Sequence, residues 1–213
     1  MRLLSALLDA IVPPKARTQR LKDTKIEHVQ LSPTTHSLLG VQITTLMDYR
    51  AQTSQDLIQS LKYDGTSTAA QMLAAIVAEY LTEEIAADAA FSTKDILIVP
   101  LPLHASRQRE RGFNQIDAVL SRLPAEFRDG TRARVAKDIL VRQRATKPQT
   151  KLSRQERLSN VAGAFALREG ADVSNAHIYL IDDVTTTGAT LANAATPLRR
   201  AGAEVSLIAL ARA

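Results

Sequence analysis

Residues 178–190 have the sequence Ile-Tyr-Leu-Ile-Asp-Asp-Val-Thr-Thr-Thr-Gly-Ala-Thr. The first four residues form an apolar run, which is typical of a strand buried on both faces of a parallel sheet. Two carboxylates and a hydroxyl-rich loop around one glycine follow this run. The apolar spacing over residues 191–198 then predicts a helix, which should end at Gly202. The stretch therefore predicts a strand, a polar loop and a helix in succession.

This order of elements is the geometry of a phosphate-binding loop. The backbone N–H groups of the loop and of the first helical turn point to one position, where the helix dipole favours an anion. The hydroxyls of Thr186, Thr187 and Thr190 add donors, and Gly188 allows close approach of the backbone. The two adjacent acids would repel a phosphate, but they suit the vicinal hydroxyls of a ribose. We therefore predict a ribose 5-phosphate site; the alternative is an ordinary strand end whose Asp/Thr turn caps a helix.

The same stretch resembles the signature of the type I phosphoribosyltransferases, in which two acids follow a mostly apolar strand and precede a Thr-rich loop. The resemblance implies that Asp182 and Asp183 hold the ribose hydroxyls of phosphoribosyl pyrophosphate. It also implies that the 5-phosphate is held by Thr185, Thr186, Thr187, Gly188, Ala189 and Thr190. Mg²⁺ is the expected cofactor, bound through the ligand and water, with Asp182 and Asp183 as the candidate protein ligands.

The composition indicates one domain with an appendage. A chain of 213 residues can bury a sizeable core, and we expect a helix and basic arm over residues 1–40 and a phosphoribosyltransferase-like domain over residues 41–213. The absence of cysteine excludes disulfides and Cys-ligated zinc. No apolar run has transmembrane length, and residues 1–12 indicate a short amphipathic helix rather than a signal peptide. We therefore expect a cytoplasmic protein that does not insert into a membrane.

The net charge of +5 is unevenly distributed, because residues 103–160 carry much of the excess of arginine and lysine. This clustering fits a polyanionic ligand such as pyrophosphate, or nucleic acid. The basic segment 15–40 is polar and lacks periodicity. We predict that it is an irregular, solvated arm rather than a segment docked on a partner.

Strands and helices alternate along the rest of the chain. Helical spacing predicts helices over residues 67–85 and 116–123, and an element over residues 56–63 should end in a turn at Gly65. Short apolar runs predict strands near residues 41–46, 96–99, 139–141, 161–167, 178–181 and 205–210. This alternation predicts an α/β fold with a largely parallel sheet flanked by helices, and ligands at the carboxyl ends of its strands.

A second anion site is predicted where the strand at residues 96–99 ends. The loop that follows contains two prolines, which stop the strand and stiffen the chain. Arg107, Arg109 and Arg111 then occupy alternate positions, so that in an extended loop their guanidinium groups would lie on one side. Arginine suits such a site because it pairs bidentately with phosphate oxygens.

Three stretches, residues 61–65, 99–115 and 149–165, resemble the ComF family, which comprises bacterial proteins associated with DNA uptake in natural competence. Residues 7–14 also resemble the opening of that family. ComF proteins commonly place a four-cysteine zinc module directly after this opening, but here Lys15-Ala16-Arg17 follows, in a short N-terminal arm that lacks the module. We therefore expect no zinc. The histidines at 28, 36, 104 and 177 do not have metal-site spacing, and we interpret each as a surface or loop residue.

The resemblance implies displacement at C1 of the ribose, with pyrophosphate as the leaving group and an oxocarbenium-like transition state. Arg107, Arg109 and Arg111 are the candidate catalytic residues, because they would stabilise the charge that develops on pyrophosphate. The candidate pyrophosphate-binding residues are Leu101, Pro102, Leu103, His104 and Lys62. Residues 142–160 form either a mobile hood over the site or an exposed linker.

Two functions follow from these observations. The first is a phosphoribosyltransferase with an unknown acceptor; Thr186 stands where purine-base members of the superfamily often carry an acid, which argues against purine salvage. The second is a non-catalytic competence module that binds nucleotide or single-stranded DNA and engages DNA-uptake proteins. The scattered aromatic residues argue against readout of DNA by base stacking.

Overall fold

The computed structural model describes residues 14–24, 29, 31–89, 92–103, 112–143 and 163–213. The helices are α1 (Pro14–Asp23), α2 (Gln52–Gln59), α3 (Ser67–Ala89), α4 (Gln115–Leu120) and α5 (Ala189–Arg200). A π-helical segment (Ser60–Asp64) continues α2, and a 3-10 turn (Ala125–Phe127) follows α4. The strands are β1 (Thr34–Leu38), β2 (Val41–Asp48), β3 (Asp95–Pro100), β4 (Arg134–Val135), β5 (Leu140–Arg142), β6 (Phe165–Leu167), β7 (Ala176–Thr185) and β8 (Glu204–Arg212). The helix predicted over residues 1–12 lies outside the described residues.

Within the described part of the chain, six strands form one sheet in the order β1-β2-β8-β7-β3-β4. Only β1 runs antiparallel to its neighbour in this sheet, and the other pairs are parallel. Strands β5 and β6 form a separate antiparallel pair. The predicted α/β fold with a largely parallel sheet is confirmed, and β7 lies near its centre between β3 and β8.

Both faces of β7 are buried. Tyr179 and Ile181 pack in the core beneath α3 and α4, whereas Ile178 and Leu180 pack in the core beneath α5. Successive side chains of a strand point to opposite faces, so a strand covered on both sides must be apolar throughout. The helices thus lie on both faces of the sheet, and the two acids come where this apolar cover ends.

The predicted irregular arm over residues 15–40 is wrong. It contains α1, which is held by ion pairs of Arg17 and Arg20 with Asp64 and Asp56 and by Leu21, which is buried in the core. It also contains β1, which pairs with β2 through five residues. The turn between these strands places Leu39 at φ 55° and Gly40 at φ 76°. Positive φ at both central residues is typical of the tight hairpin turn that matches strand twist.

The prediction that each histidine lies at the surface or in a loop is wrong for His177, which is buried in β7. Its Nδ1 lies 2.9 Å from Oδ2 of Asp88, near the end of α3. Its Nε2 lies 2.8 Å from Oγ of Ser206 in β8. The hydroxyl of Tyr179 donates to the same Asp88 carboxylate. These contacts fasten the carboxyl end of α3 to the sheet, opposite the end that carries the acids.

No helix in the part of the chain that the structure describes combines the length and apolar character that a membrane crossing requires.

Candidate functional site

Asp182 and Asp183 lie near the carboxyl end of β7, and both are half-buried. Oδ1 of Asp182 accepts a hydrogen bond from the backbone N–H of Asp183 at 2.8 Å. Oδ1 of Asp183 accepts one from the backbone N–H of Val184 at 2.6 Å. These bonds restrict the two carboxyl groups, which are therefore oriented by the strand rather than free in solvent.

Lys62 pairs with Asp183 across the molecule. Its Nζ lies 2.9 Å from Oδ2 of Asp183, and the two side chains are only 4% and 18% exposed. Strand alternation places Asp183 on the face of Ile181, beneath α3, and the π-helical segment that carries Lys62 directly precedes α3. Lysine is almost never this buried unless it is paired, so the contact accounts for its position.

The carboxyl group of Asp182 is hard to ionise. Burial, and then the neighbouring charge of Asp183, raise the pKa of Asp182 to about 7. The charges of Lys62 and Arg142 act in the opposite direction. Because loss of water around the carboxyl group is the largest cause, a ligand that donates hydrogen bonds or brings a cation would favour its charged form. Carboxylate oxygens are also the ligands that Mg²⁺ prefers, usually one or two together with phosphates and waters, so this donor set fits Mg²⁺.

The loop after β7 turns at Gly188, which has φ 77°. A Cβ atom at this position would lie 2.5 Å from Cδ1 of Ile43 and 3.0 Å from Cβ of Leu38. Both the backbone conformation and the packing of the β1–β2 hairpin therefore require glycine. The backbone N–H groups of Thr186, Thr187 and Gly188 donate no hydrogen bond to any of the described residues. These amides precede the first turn of α5, where an anion would be favoured.

The loop after β3 is held beside this site. The backbone N–H of Leu101 donates to the carbonyl of Ile181 at 2.8 Å, one residue before the acids. The carbonyl of Leu101 accepts from Nδ2 of Asn114 at 3.1 Å, and Oδ1 of Asn114 caps α4 by accepting from Ile116 N–H at 2.9 Å. Pro102 and Leu103 follow and are half-buried.

The turn after the π-helical segment contacts the residues that precede α4. Gly65 adopts φ 58°, and a Cβ atom there would lie 3.5 Å from the Phe113 ring. Together with the Lys62 ion pair and the Leu101 contact, this brings residues 61–65, 101–103 and 112–115 to the carboxyl end of β7. The structure therefore brings Lys62 and the described part of the predicted pyrophosphate loop, residues 101–103, close to the predicted acids.

The candidate catalytic residues Arg107, Arg109 and Arg111 lie outside the described residues, as do His104 and residues 144–160 of the predicted hood or linker. Their roles stay predictions.

Arg142 was predicted only as the first residue of the hood or linker over residues 142–160, not as a site residue. It ends β5, its guanidinium lies 5.2 Å from the centroid of the Phe165 ring, and its charge acts on Asp182. Its position at the end of a predicted strand was the available signal in the sequence. Among the residues described, no three His, Cys, Asp or Glu side chains are grouped closely enough to hold a metal ion by themselves.

Comparison with known proteins identifies several relatives, although no family model matches the chain. Competence protein ComFC of Streptococcus pneumoniae is 29% identical over 78% of this chain and 66% of its own length. Competence protein F of Haemophilus influenzae is 36% identical over 54% of this chain and 50% of its own length. DNA utilization protein YhgH of Escherichia coli is 32% identical over 76% of this chain and 67% of its own length. The chain thus spans between half and two thirds of these relatives.

Two phosphoribosyltransferases are among the solved structures that align with this chain. A hypoxanthine phosphoribosyltransferase from Staphylococcus aureus aligns over 70% of this chain and 74% of its own, with 13% identity and a TM-score of 0.40. A phosphoribosyltransferase from Corynebacterium diphtheriae aligns over 75% of this chain and 95% of its own, with 16% identity and a TM-score of 0.35. The assignment to a family rests on the sequence relatives, whose matches extend over most of the chain: the chain belongs to the ComF family.

Proposed function

We propose that the protein binds phosphoribosyl pyrophosphate with Mg²⁺ at the carboxyl end of β7 and transfers the phosphoribosyl group to an acceptor nucleophile. The observation that carries this proposal is the pair of half-buried acids, Asp182 and Asp183, near the end of β7, together with the loop before α5, whose amides at residues 186–188 donate no hydrogen bond within the described part of the chain. A sugar phosphate offers hydroxyl donors to the acids and an anion to the amides. The ribose hydroxyls of such a ligand would therefore bind the acids, and its phosphate would bind the amides of the loop.

In the proposed reaction, the nucleophile forms a bond to C1 of the ribose, and the bond from C1 to the pyrophosphate oxygen breaks. The electron pair of the broken bond leaves with pyrophosphate, so negative charge develops there. Lys62 is buried beside the acids and supplies a fixed positive charge on this side of the site. Asp182 and Asp183 would hold Mg²⁺, which supplies further positive charge to the phosphate groups.

The names of the relatives support a role in competence or DNA utilization. They also favour a second candidate, in which the fold binds nucleotide or single-stranded DNA without catalysis and engages DNA-uptake proteins. The basic residues concentrated over residues 103–160 are compatible with this candidate. The two candidates share the sugar-phosphate site and differ in whether pyrophosphate is released.

Calorimetry with phosphoribosyl pyrophosphate and Mg²⁺ tests the shared site. We expect Asp182→Asn/Asp183→Asn to weaken binding about tenfold or more, because charge-assisted hydrogen bonds to the diol are lost. Asp138→Asn is the matched control, since that carboxylate is 81% exposed and lies outside the site. Equal binding by wild type and the double variant would remove the assignment.

A screen of acceptors for release of pyrophosphate separates the two candidates. Release with one class of nucleophile supports the transferase. Binding of phosphoribosyl pyrophosphate without release for any acceptor, together with salt-sensitive binding of single-stranded DNA, supports the module.

A further inference from the structure

Arg17 of α1 is a fully buried arginine, with 1% of its surface exposed. Its Nε and Nη2 donate to the two carboxylate oxygens of Asp64 at 2.9 and 3.0 Å. Its Nη1 donates to Oε1 of Gln59 at 2.8 Å, and its guanidinium lies 5.8 Å from the centroid of the Tyr63 ring. Oγ1 of Thr18 donates to Asp64 at 3.1 Å. The guanidinium fork thus holds Asp64 in one orientation.

Asp64 and Lys62 belong to the same π-helical segment, Ser60–Asp64. A π-helical turn is rare and occurs mostly as a single turn next to or within an α-helix, often at a functional site. Arg17 contacts this segment at Asp64, and Lys62 extends from it to Asp183 at the sugar-phosphate site. One short segment therefore connects α1 to the acids of β7.

A second arginine of α1 provides a comparison. Arg20 also pairs bidentately, with both oxygens of Asp56 at 2.7 Å. Asp56 lies in α2 before the π-helical segment, and the side chain of Arg20 is 42% exposed. Both arginines fasten α1 to the domain, but only Arg17 contacts the segment that carries Lys62.

We propose that Arg17 is a positioning residue for the sugar-phosphate site: by fixing Asp64, it sets the π-helical segment so that Lys62 reaches Asp183. The part of this proposal that concerns ligand binding rests on the proposed function. Burying an arginine in an ion pair is a costly way to stabilise a fold, because apolar residues of similar volume are often as good. The Arg17–Asp64 pair lies at the end of the π-helical segment. Its position there is explained by geometry, because the guanidinium fork fixes Asp64 in one arrangement.

A double-mutant cycle between Arg17 and Lys62 tests the proposal. In calorimetry with phosphoribosyl pyrophosphate and Mg²⁺, Arg17→Met should weaken binding about tenfold, and the control Arg20→Met less than about threefold. In a Lys62→Met background, Arg17→Met should change the affinity by less than about threefold, because the lysine it positions is gone. Arg17→Lys, which keeps the charge but not the fork, should give an intermediate loss. Equal losses in the two backgrounds, or an Arg20→Met variant as impaired as Arg17→Met, would overturn the proposal.

The same cycle in the ligand-free protein separates this inference from the proposed function. Urea unfolding of wild type, the two single variants and the double variant gives the coupling between Arg17 and Lys62 in the unfolding equilibrium constant. We expect a coupling of about threefold or more, because loss of either residue releases the same segment. Additive effects would overturn the positioning role whether or not the protein binds phosphoribosyl pyrophosphate. If the wild type fails to bind that compound but the coupling is present, the proposed function is wrong and the positioning of Lys62 stands.

Discussion

Asp182→Asn should make the ligand-free protein more stable at alkaline pH. The pKa of Asp182 is raised from 3.8 to about 7 by burial and by the charge of Asp183. A carboxyl group whose pKa is higher in the folded than in the unfolded protein stabilises the fold while it is protonated. This contribution is fully present below the unfolded pKa of 3.8 and is lost as the pH rises through about 7. Asparagine cannot ionise, so the variant avoids the loss.

The magnitude follows from the pKa. Between about pH 5 and pH 7 the folded protein holds a proton that the unfolded chain has released. The free energy of unfolding of the wild type therefore falls by about 1.36 kcal/mol per pH unit, or by about 3 kcal/mol over this range. Because Asp182 is half-buried, solvent screening reduces this value to about 1.5 kcal/mol. From about pH 5 to about pH 8.5, the free energy of unfolding of the variant minus that of the wild type should therefore rise by about 1.5 kcal/mol.

Urea unfolding at about pH 5 and about pH 8.5, with a common slope on denaturant, measures the difference. Circular dichroism is the suitable signal, since the chain has no tryptophan. Asp138→Asn, at an 81% exposed carboxylate, should change stability by no more than about 0.5 kcal/mol at either pH. The reasoning is refuted if the difference between Asp182→Asn and wild type is the same at both pH values.

Three further substitutions test the site. Lys62→Met should lower the free energy of unfolding by about 2 kcal/mol, because it leaves Asp183 without its partner, and adding Asp183→Asn should recover most of the loss in thermal unfolding. Gly188→Ala should lower the free energy of unfolding in urea by about 2 kcal/mol, because of the positive φ and the contact of the new Cβ with Cδ1 of Ile43. A smaller loss in an Ile43→Val background would give the share due to that contact. No loss in either background would contradict the packing argument. Asn114→Ala should cost about 1 kcal/mol through the lost cap of α4 and weaken the calorimetric affinity for pyrophosphate, whereas unchanged affinity would show that the loop after β3 does not bind it.

The central strands were predictable because burial imposes a simple composition on them. In β7, both faces are covered, so residues 178–181 are apolar without a break and the acids mark where the cover ends. The hairpin of β1 and β2 was not predictable in the same way. Its first strand is polar, and its turn uses Leu39–Gly40 rather than the Asn-Gly or Asp-Gly pairs that announce such turns.

The described site was predictable where it is contiguous in the chain and not where it depends on distant partners. The acids and the Thr-rich loop form one motif, so their proximity follows from the covalent chain. Lys62 is paired with an acid far along the chain, and no local pattern distinguishes a buried lysine before a turn from a solvated one. Arg17 was interpreted as part of a solvated arm, because its role depends on the fold around Asp64 rather than on its neighbours.

The contact of Leu38 and Ile43 with Gly188 has a practical consequence for anyone who shortens this protein. A truncated version starting at Val41 would keep every residue of the Thr-rich motif yet lose the outer strand and the leucine that backs the glycine. Such a fragment would also expose the edge of β2 that pairs with β1, and an exposed strand edge promotes self-association. Expression trials, fusion junctions and circular permutants should therefore retain β1, and with it α1, whose Arg17 and Arg20 pair with Asp64 and Asp56.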